Sequence, residues 1–126
     1  MNIAVVDSSC VVAIVFGVRA GVAMQKRLED FDRLFAAPLL EAELLCALRR
    51  ESLSDLDVDL SAFQWILPSR PLSDEVRRVL AAGYVRGADC WHLASALFLS
   101  PEPSEATFLT LDQAQRKAAR TLGFET

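Results

Sequence analysis

A chain of 126 residues has the length of one ordinary domain, enough for a single core and too short for two, so residues 1–126 are read as one domain. The hydrophobic fraction is high at 52%, yet no apolar stretch approaches the roughly 20 residues of a membrane span, and neither a basic leader nor a small-residue cleavage site flanks the apolar start; the expectation is a soluble, cytoplasmic protein with no membrane partner. With 17 acidic and 13 basic residues the net charge is −4, the reverse of a nucleic-acid footprint, but the basic residues are mostly arginine, the better phosphate ligand, and a bound divalent cation would invert the local sign.

The first predicted element is a strand, Ile3–Val6, which runs into Asp7, Ser8 and Ser9; either serine is placed to cap a helix through about Gly17. A second helix is expected over about Gly21–Asp30, a short strand over Leu34–Ala37 and, after Pro38, a helix over Leu39–Arg50. Ser52–Asp59 reads as a polar loop. Its alternating Asp55, Asp57 and Asp59 imitate a calcium loop, but the glycine and the final glutamate of such a loop are missing. Phe63–Leu67 reads as a helix end passing into a short strand, with Pro68 and Pro71 bracketing the connection that follows. Ser73, Asp74 and Glu75 open a helix that continues through Ala82 and stops at Gly83. Asp89–Leu99 is a further helix, Pro101–Glu105 a loop, Thr107–Leu111 a strand and Asp112–Leu122 the last helix, closed by Gly123. Strands alternating with helices predict an α/β fold with a parallel sheet covered on both faces, and in such sheets sites form at the carboxyl ends of the strands.

Asp7 and Asp112 each follow a predicted strand, so one crevice is open to both carboxylates. Asp89 begins the helical stripe Leu93, Ala96 and Leu97, and an inward aspartate is costly unless paired, capped or metal-bound. The competing reading makes Asp89 the N-cap of its helix. On the helix 39–50 the stripe Leu40, Leu44, Ala47 and Leu48 leaves Glu43 on one edge and Glu41 on the other, and periodicity does not choose between them. His92, the only histidine, lies one turn after Asp89 on an edge of the same stripe and reads as a structural or surface residue, with contact to substrate as the alternative. Cys10, Cys46 and Cys90 are odd in number, widely spaced and set in apolar helices; this excludes a disulfide framework and a structural zinc site and suggests buried small hydrophobes.

In order and spacing, VVDSS after a strand, PLLEAELLCALRR about thirty residues on, GADCWHLASAL near residue 90 and FLTLDQAQRKAARTLG at the end resemble a PIN domain, and more narrowly the VapC type of toxin ribonuclease. The resemblance implies an α/β/α sandwich with a central parallel sheet. It implies that Asp7, Glu43, Asp89 and Asp112 are the catalytic and metal-binding acids; Glu43 matches rather than Glu41 because it stands just before the Leu-x-x-Ala-Leu run Leu44 to Leu48. Ser8 or Ser9 matches the small hydroxyl residue after the first acid, and Thr110 the hydroxyl two before the last. The implied activity is endoribonuclease cleavage of RNA with Mg2+ or Mn2+, by a homodimer held in check by a cognate antitoxin. Hard ions of that kind take carboxylate and water ligands and require no nucleophilic side chain. Arg49, Arg50, Arg86 and Arg116 stand near these acids in the sequence and are placed to hold RNA phosphates, although arginines at helix ends also complement the helix dipole. A receiver-type phosphoacceptor lacks its paired acid and lysine here, and a haloacid-dehalogenase-like phosphatase lacks its Asp-x-Asp. The remaining alternative is a PIN-like domain without catalysis that binds RNA or protein; against it, all four acidic positions are filled.

Overall fold

The computed structural model describes residues 1–55 and 58–126. In chain order it contains β1 (Ile3–Val6), α1 (Ser8–Phe16), α2 (Arg19–Leu28), β2 (Arg33–Ala36), α3 (Leu39–Arg50), β3 (Phe63–Trp65), α4 (Ser73–Ala82), α5 (Gly87–Leu99), β4 (Thr107–Leu109) and α6 (Gln113–Leu122). The strands form one parallel sheet in the order β3-β2-β1-β4, with Ala4 of β1 level with Leu34 of β2 and Thr107 of β4.

Helices cover both faces of the sheet, which is why β1 is an unbroken apolar run rather than an alternation. Val5 and Phe108 point into a core made with Val79 of α4, Leu93 and Leu97 of α5 and Ala118 and Ala119 of α6. Ala4, Val6 and Leu109 point the other way, against Cys10 and Val11 of α1, Met24 of α2 and Leu40, Leu44 and Leu48 of α3. The result is an α/β/α sandwich with a central parallel sheet. Gly21 lets α2 press on α1: a Cβ there would lie 2.1 Å from the Ala13 carbonyl oxygen, so any side chain would drive the two helices apart. Among the described residues no single helix is long and apolar enough to cross a membrane.

Several expectations are corrected. The N-cap of α1 is Asp7, whose carboxylate accepts from the Ser9 N–H; Ser8 and Ser9 already lie inside the helix. Helix α5 starts at Gly87 with Arg86 as its N-cap, so Asp89 sits within the first turn and caps nothing. Strand β4 ends at Leu109 because side chains take over from the ladder there: the Leu111 N–H donates to Ser9 Oγ at 3.0 Å and the Asp112 N–H to Thr110 Oγ1 at 3.0 Å. No helix leads into β3; Ser61 and Ala62 form a turn, with the Ser61 N–H donating to Asp59 Oδ1 at 2.9 Å. That bond marks Asp59 as a turn residue, as the polar-loop reading has it, while Asp57 lies outside the described residues. Cys10 and Cys90 are buried, but Cys46 is exposed, because it faces outward on α3 between the buried Leu44 and Leu48.

Candidate active site

The four acids of the sequence reading are brought into one neighbourhood at the carboxyl ends of β1 and β4. Asp7 follows β1 directly and is 2% exposed. Its Oδ2 accepts from the Ser9 N–H at 3.1 Å and lies 3.2 Å from Thr110 Oγ1; its Oδ1 accepts from Gln115 Nε2 at 3.3 Å. Capping and site geometry are therefore one arrangement, in which Oδ2 closes the first turn of α1 and Oδ1 meets Gln115 and lies 3.6 Å from His92 Nε2. Asp112 is the N-cap of α6, its Oδ1 accepting from the Gln115 N–H at 2.8 Å.

Glu43 comes to this neighbourhood from α3, and contacts across the sheet end distinguish it from Glu41. Its Oε1 accepts from Ser8 Oγ at 3.0 Å and from His92 Nε2 at 2.6 Å, which leaves Oε2 open. Glu41 is exposed on the other side of the helix and makes no such bond. His92, read from sequence as structural or as a surface residue, is 1% exposed and lies between two of the acids, its Nε2 also 3.6 Å from Asp7 Oδ1. Because carboxylate oxygens only accept, Nε2 carries the proton in this contact; Nδ1 is buried with no partner among the described residues.

Asp89 is half-buried in the first turn of α5, and no donor among the described residues reaches its carboxylate. Burial raises its pKa above the ordinary aspartate value, and the negative charges of Asp7 and Asp112 raise it further; Arg86 opposes them, and Glu43 adds a smaller push upward. That list of neighbours shows the acids sharing one electrostatic site. Asp7 also helps hold the Cys10 thiol neutral: burial first and the Asp7 charge second push its pKa up to about 12.

Of the supporting residues, Ser8 orients Glu43, and Ser9 Oγ lies 3.3 Å from Thr110 Oγ1. Arg116 donates to the Thr110 carbonyl at 2.7 Å, which ties its guanidinium to the end of β4. Arg86 stands close enough to Asp89 to act on its charge, whereas Arg49 and Arg50 are exposed at the far end of α3. Gln115, absent from the sequence reading, bonds to three of the four acids: Asp7, the Asp89 carbonyl and Asp112. A signal for it exists in the sequence: with Ala118, Ala119 and Leu122 it forms a core-facing stripe at i, i+3, i+4 and i+7, and an amide on such a stripe has to find buried partners.

Among the described residues, no three His, Cys, Asp or Glu side chains are arranged to enclose a metal ion by themselves. The donor set still fits one kind of ion. Magnesium and manganese prefer oxygen, and magnesium commonly binds through one or two carboxylates while keeping several waters. Among the described residues no protein donor reaches Glu43 Oε2, Asp112 Oδ2 or the Asp89 carboxylate, so these oxygens are available as ligands for such a hydrated ion.

Neither the curated proteins nor the solved structures contain a match to this chain. The model of the PIN domain matches residues 4–121, which run from Ala4 in β1 to Thr121 in α6 and take in all four acids, and the chain belongs to that family.

Proposed function

We propose that this protein is a divalent-metal-dependent endoribonuclease, with Asp7, Glu43, Asp89 and Asp112 as its catalytic acids, and that it is the toxin of a toxin–antitoxin pair. PIN domains are a family of nucleases, typically metal-dependent. The observation that carries the reading here is Asp89: a carboxylate with no donor, crowded by three other acids. A protein does not keep such a group for stability, because like charges in a half-buried crevice repel one another. When bound, Mg2+ or Mn2+ polarises a phosphodiester and lowers the pKa of a bound water. The chain's own part is to hold and aim. Asp89, Asp112 and Glu43 Oε2 supply open oxygens, His92 and Ser8 keep Glu43 turned inward, and Arg86 and Arg116 offer positive charge to the RNA phosphates.

RNA cleavage by the purified chain should need Mg2+ or Mn2+, stop with a chelator, return with added metal but not with zinc, and vanish in Asp89→Asn. Cleavage that continues unchanged in chelator overturns the mechanism. One observation favours a second reading, a module that binds without cutting: the His92 ring is engaged with Glu43 Oε1 and lies 3.6 Å from Asp7 Oδ1, so fewer of the acids' oxygens remain for an ion. RNA binding without cleavage in Mn2+ would select that reading.

The partners belong to the same proposal. An arginine or lysine of an antitoxin, inserted among the carboxylates, would pair with several at once and compete with Mg2+. A homodimer accords with the exposed apolar Val22, Leu80 and Tyr84. Light scattering that finds only monomer at micromolar concentration would count against it.

A further inference from the structure

Asp112 and Gln115 stand at the spacing of a capping box, in which the N-cap side chain accepts from the N–H three residues on, and the side chain of that residue reaches back to the N-cap N–H. Only half of the box is built. Asp112 Oδ1 accepts from the Gln115 N–H at 2.8 Å, but the Asp112 N–H donates to Thr110 Oγ1 at 3.0 Å instead. The glutamine side chain is thus released from its helix end, and it is fully buried. Its Oε1 accepts from Thr110 Oγ1 at 2.6 Å, and its Nε2 donates to Asp7 Oδ1 at 3.3 Å and to the Asp89 carbonyl at 3.2 Å. The two acceptors facing Nε2 fix which way the amide points, since the opposite orientation would set oxygen against oxygen twice.

Resting on the nuclease reading above, we propose that Gln115 is the positioning residue of this site: one neutral side chain that aims Asp7 Oδ1 and holds the first turn of α5, with Asp89, at its distance from β1. The chemistry of the position favours an amide. A carboxylate would add another negative charge to the acids already there, a lysine would neutralise Asp7 and compete with the ion, and a leucine would leave Asp7 Oδ1, the Asp89 carbonyl and the Thr110 hydroxyl each short of a partner. An amide offers two donors and one acceptor with no net charge. Because Gln115 Nε2 bonds Asp7 and the Asp89 backbone at once, its removal changes where the Asp89 carboxylate stands relative to Asp7 as well as how α6 packs.

The test measures Mn2+ binding by calorimetry on the full chain, for the wild type and for Gln115→Met, each well below its own unfolding temperature. Affinity should fall about tenfold or more, the loss usual for partners that orient metal ligands. A merely structural role would lower the unfolding temperature and leave the affinity of the folded protein alone, so a folded Gln115→Met within about twofold of wild type overturns the proposal. Should that variant fail to fold, the wild type still decides by NMR: the Gln115 side-chain amide protons should shift on Mg2+ addition, and an unmoved pair overturns it. Failure of the underlying reading looks different. A wild type that binds no Mn2+ and cuts no RNA brings down both, whereas binding and cutting that Gln115→Met leaves intact bring down the role of Gln115 alone.

Discussion

Asp7 and Asp89 belong to one cluster of acids but stand on opposite supports. At the end of β1, Asp7 is almost wholly buried, and groups from α1, α6 and the end of β4 close on both of its oxygens. In the first turn of α5, Asp89 keeps partial access to solvent and has no donor at all among the described residues. One acid is built into the fold, and the other is left open. A strapped carboxylate contributes to stability because each bond satisfies a group that would otherwise be buried without a partner. An open one contributes nothing to the fold and is free to bind something else. From sequence both are candidate acids of one site, and only their contacts tell them apart.

The largest effect that could break the contrast is the cost of deleting Asp7. Asp7→Ala removes an N-cap and orphans buried donors, so urea unfolding should show a loss of about 2–4 kcal/mol. Asp89→Ala should show no loss, and an equal cost in the two variants would erase the distinction. Next in size, Thr110→Val should cost about 1–2 kcal/mol, because the hydroxyl joins the Asp112 N–H, Gln115 and Asp7 at one point.

Smaller, but sharper, is the pH dependence of Asp89. Its pKa is raised above the ordinary 3.8, so the folded state binds this proton more tightly than the unfolded chain does. Its stabilising share is therefore fully present below the unfolded value and is lost as pH rises through the raised folded value. Asp89→Asn should gain stability over wild type as pH rises from the unfolded aspartate range toward neutrality, and the gain should vanish below it. A difference between the two proteins that stays flat from pH 3 to 7 in paired urea titrations would show that Asp89 is not crowded. The smallest effect is Glu41→Gln, expected to stay within about 0.5 kcal/mol and to leave cleavage intact, as befits an exposed residue. Glu43→Gln should abolish cleavage, and the reverse pair of results would mean that the wrong glutamate faces the ion.

Much of the frame was legible in the amino-acid order. The run Ile3–Val6, the helix Leu39–Arg50 and the C-cap Gly123 stand as read, because apolar period, a preceding proline and a left-handed glycine are local signals. The parallel sheet followed from strands alternating with helices, and with it the placement of Asp7 and Asp112 at strand ends. The illegible parts are those where a side chain outside the element decides. Ser9 ends the β4 ladder early by accepting from Leu111, a residue 102 positions away. Backbone continuity past Ala88 and Gly87 brought α5 forward and cost Asp89 its cap, which no periodicity around Asp89 records.

By itself, then, the sequence determined the fold class, the order of the elements and which acids were candidates, since each of these depends on periods of two or 3.6 residues and on turn chemistry within a few positions. Tertiary structure alone decided what each candidate touches. Glu43, and not Glu41, is bonded across the sheet end because Ser8, 35 residues away, and His92, 49 away, meet one edge of α3. Asp7 is strapped because Gln115 reaches it across 108 residues. Asp89 is open because, among the described residues, no donor was folded onto it. Helical geometry says only which face a side chain shares; which donors arrive at that face depends on how separate helices rotate against the sheet, and packing of the whole core sets that rotation.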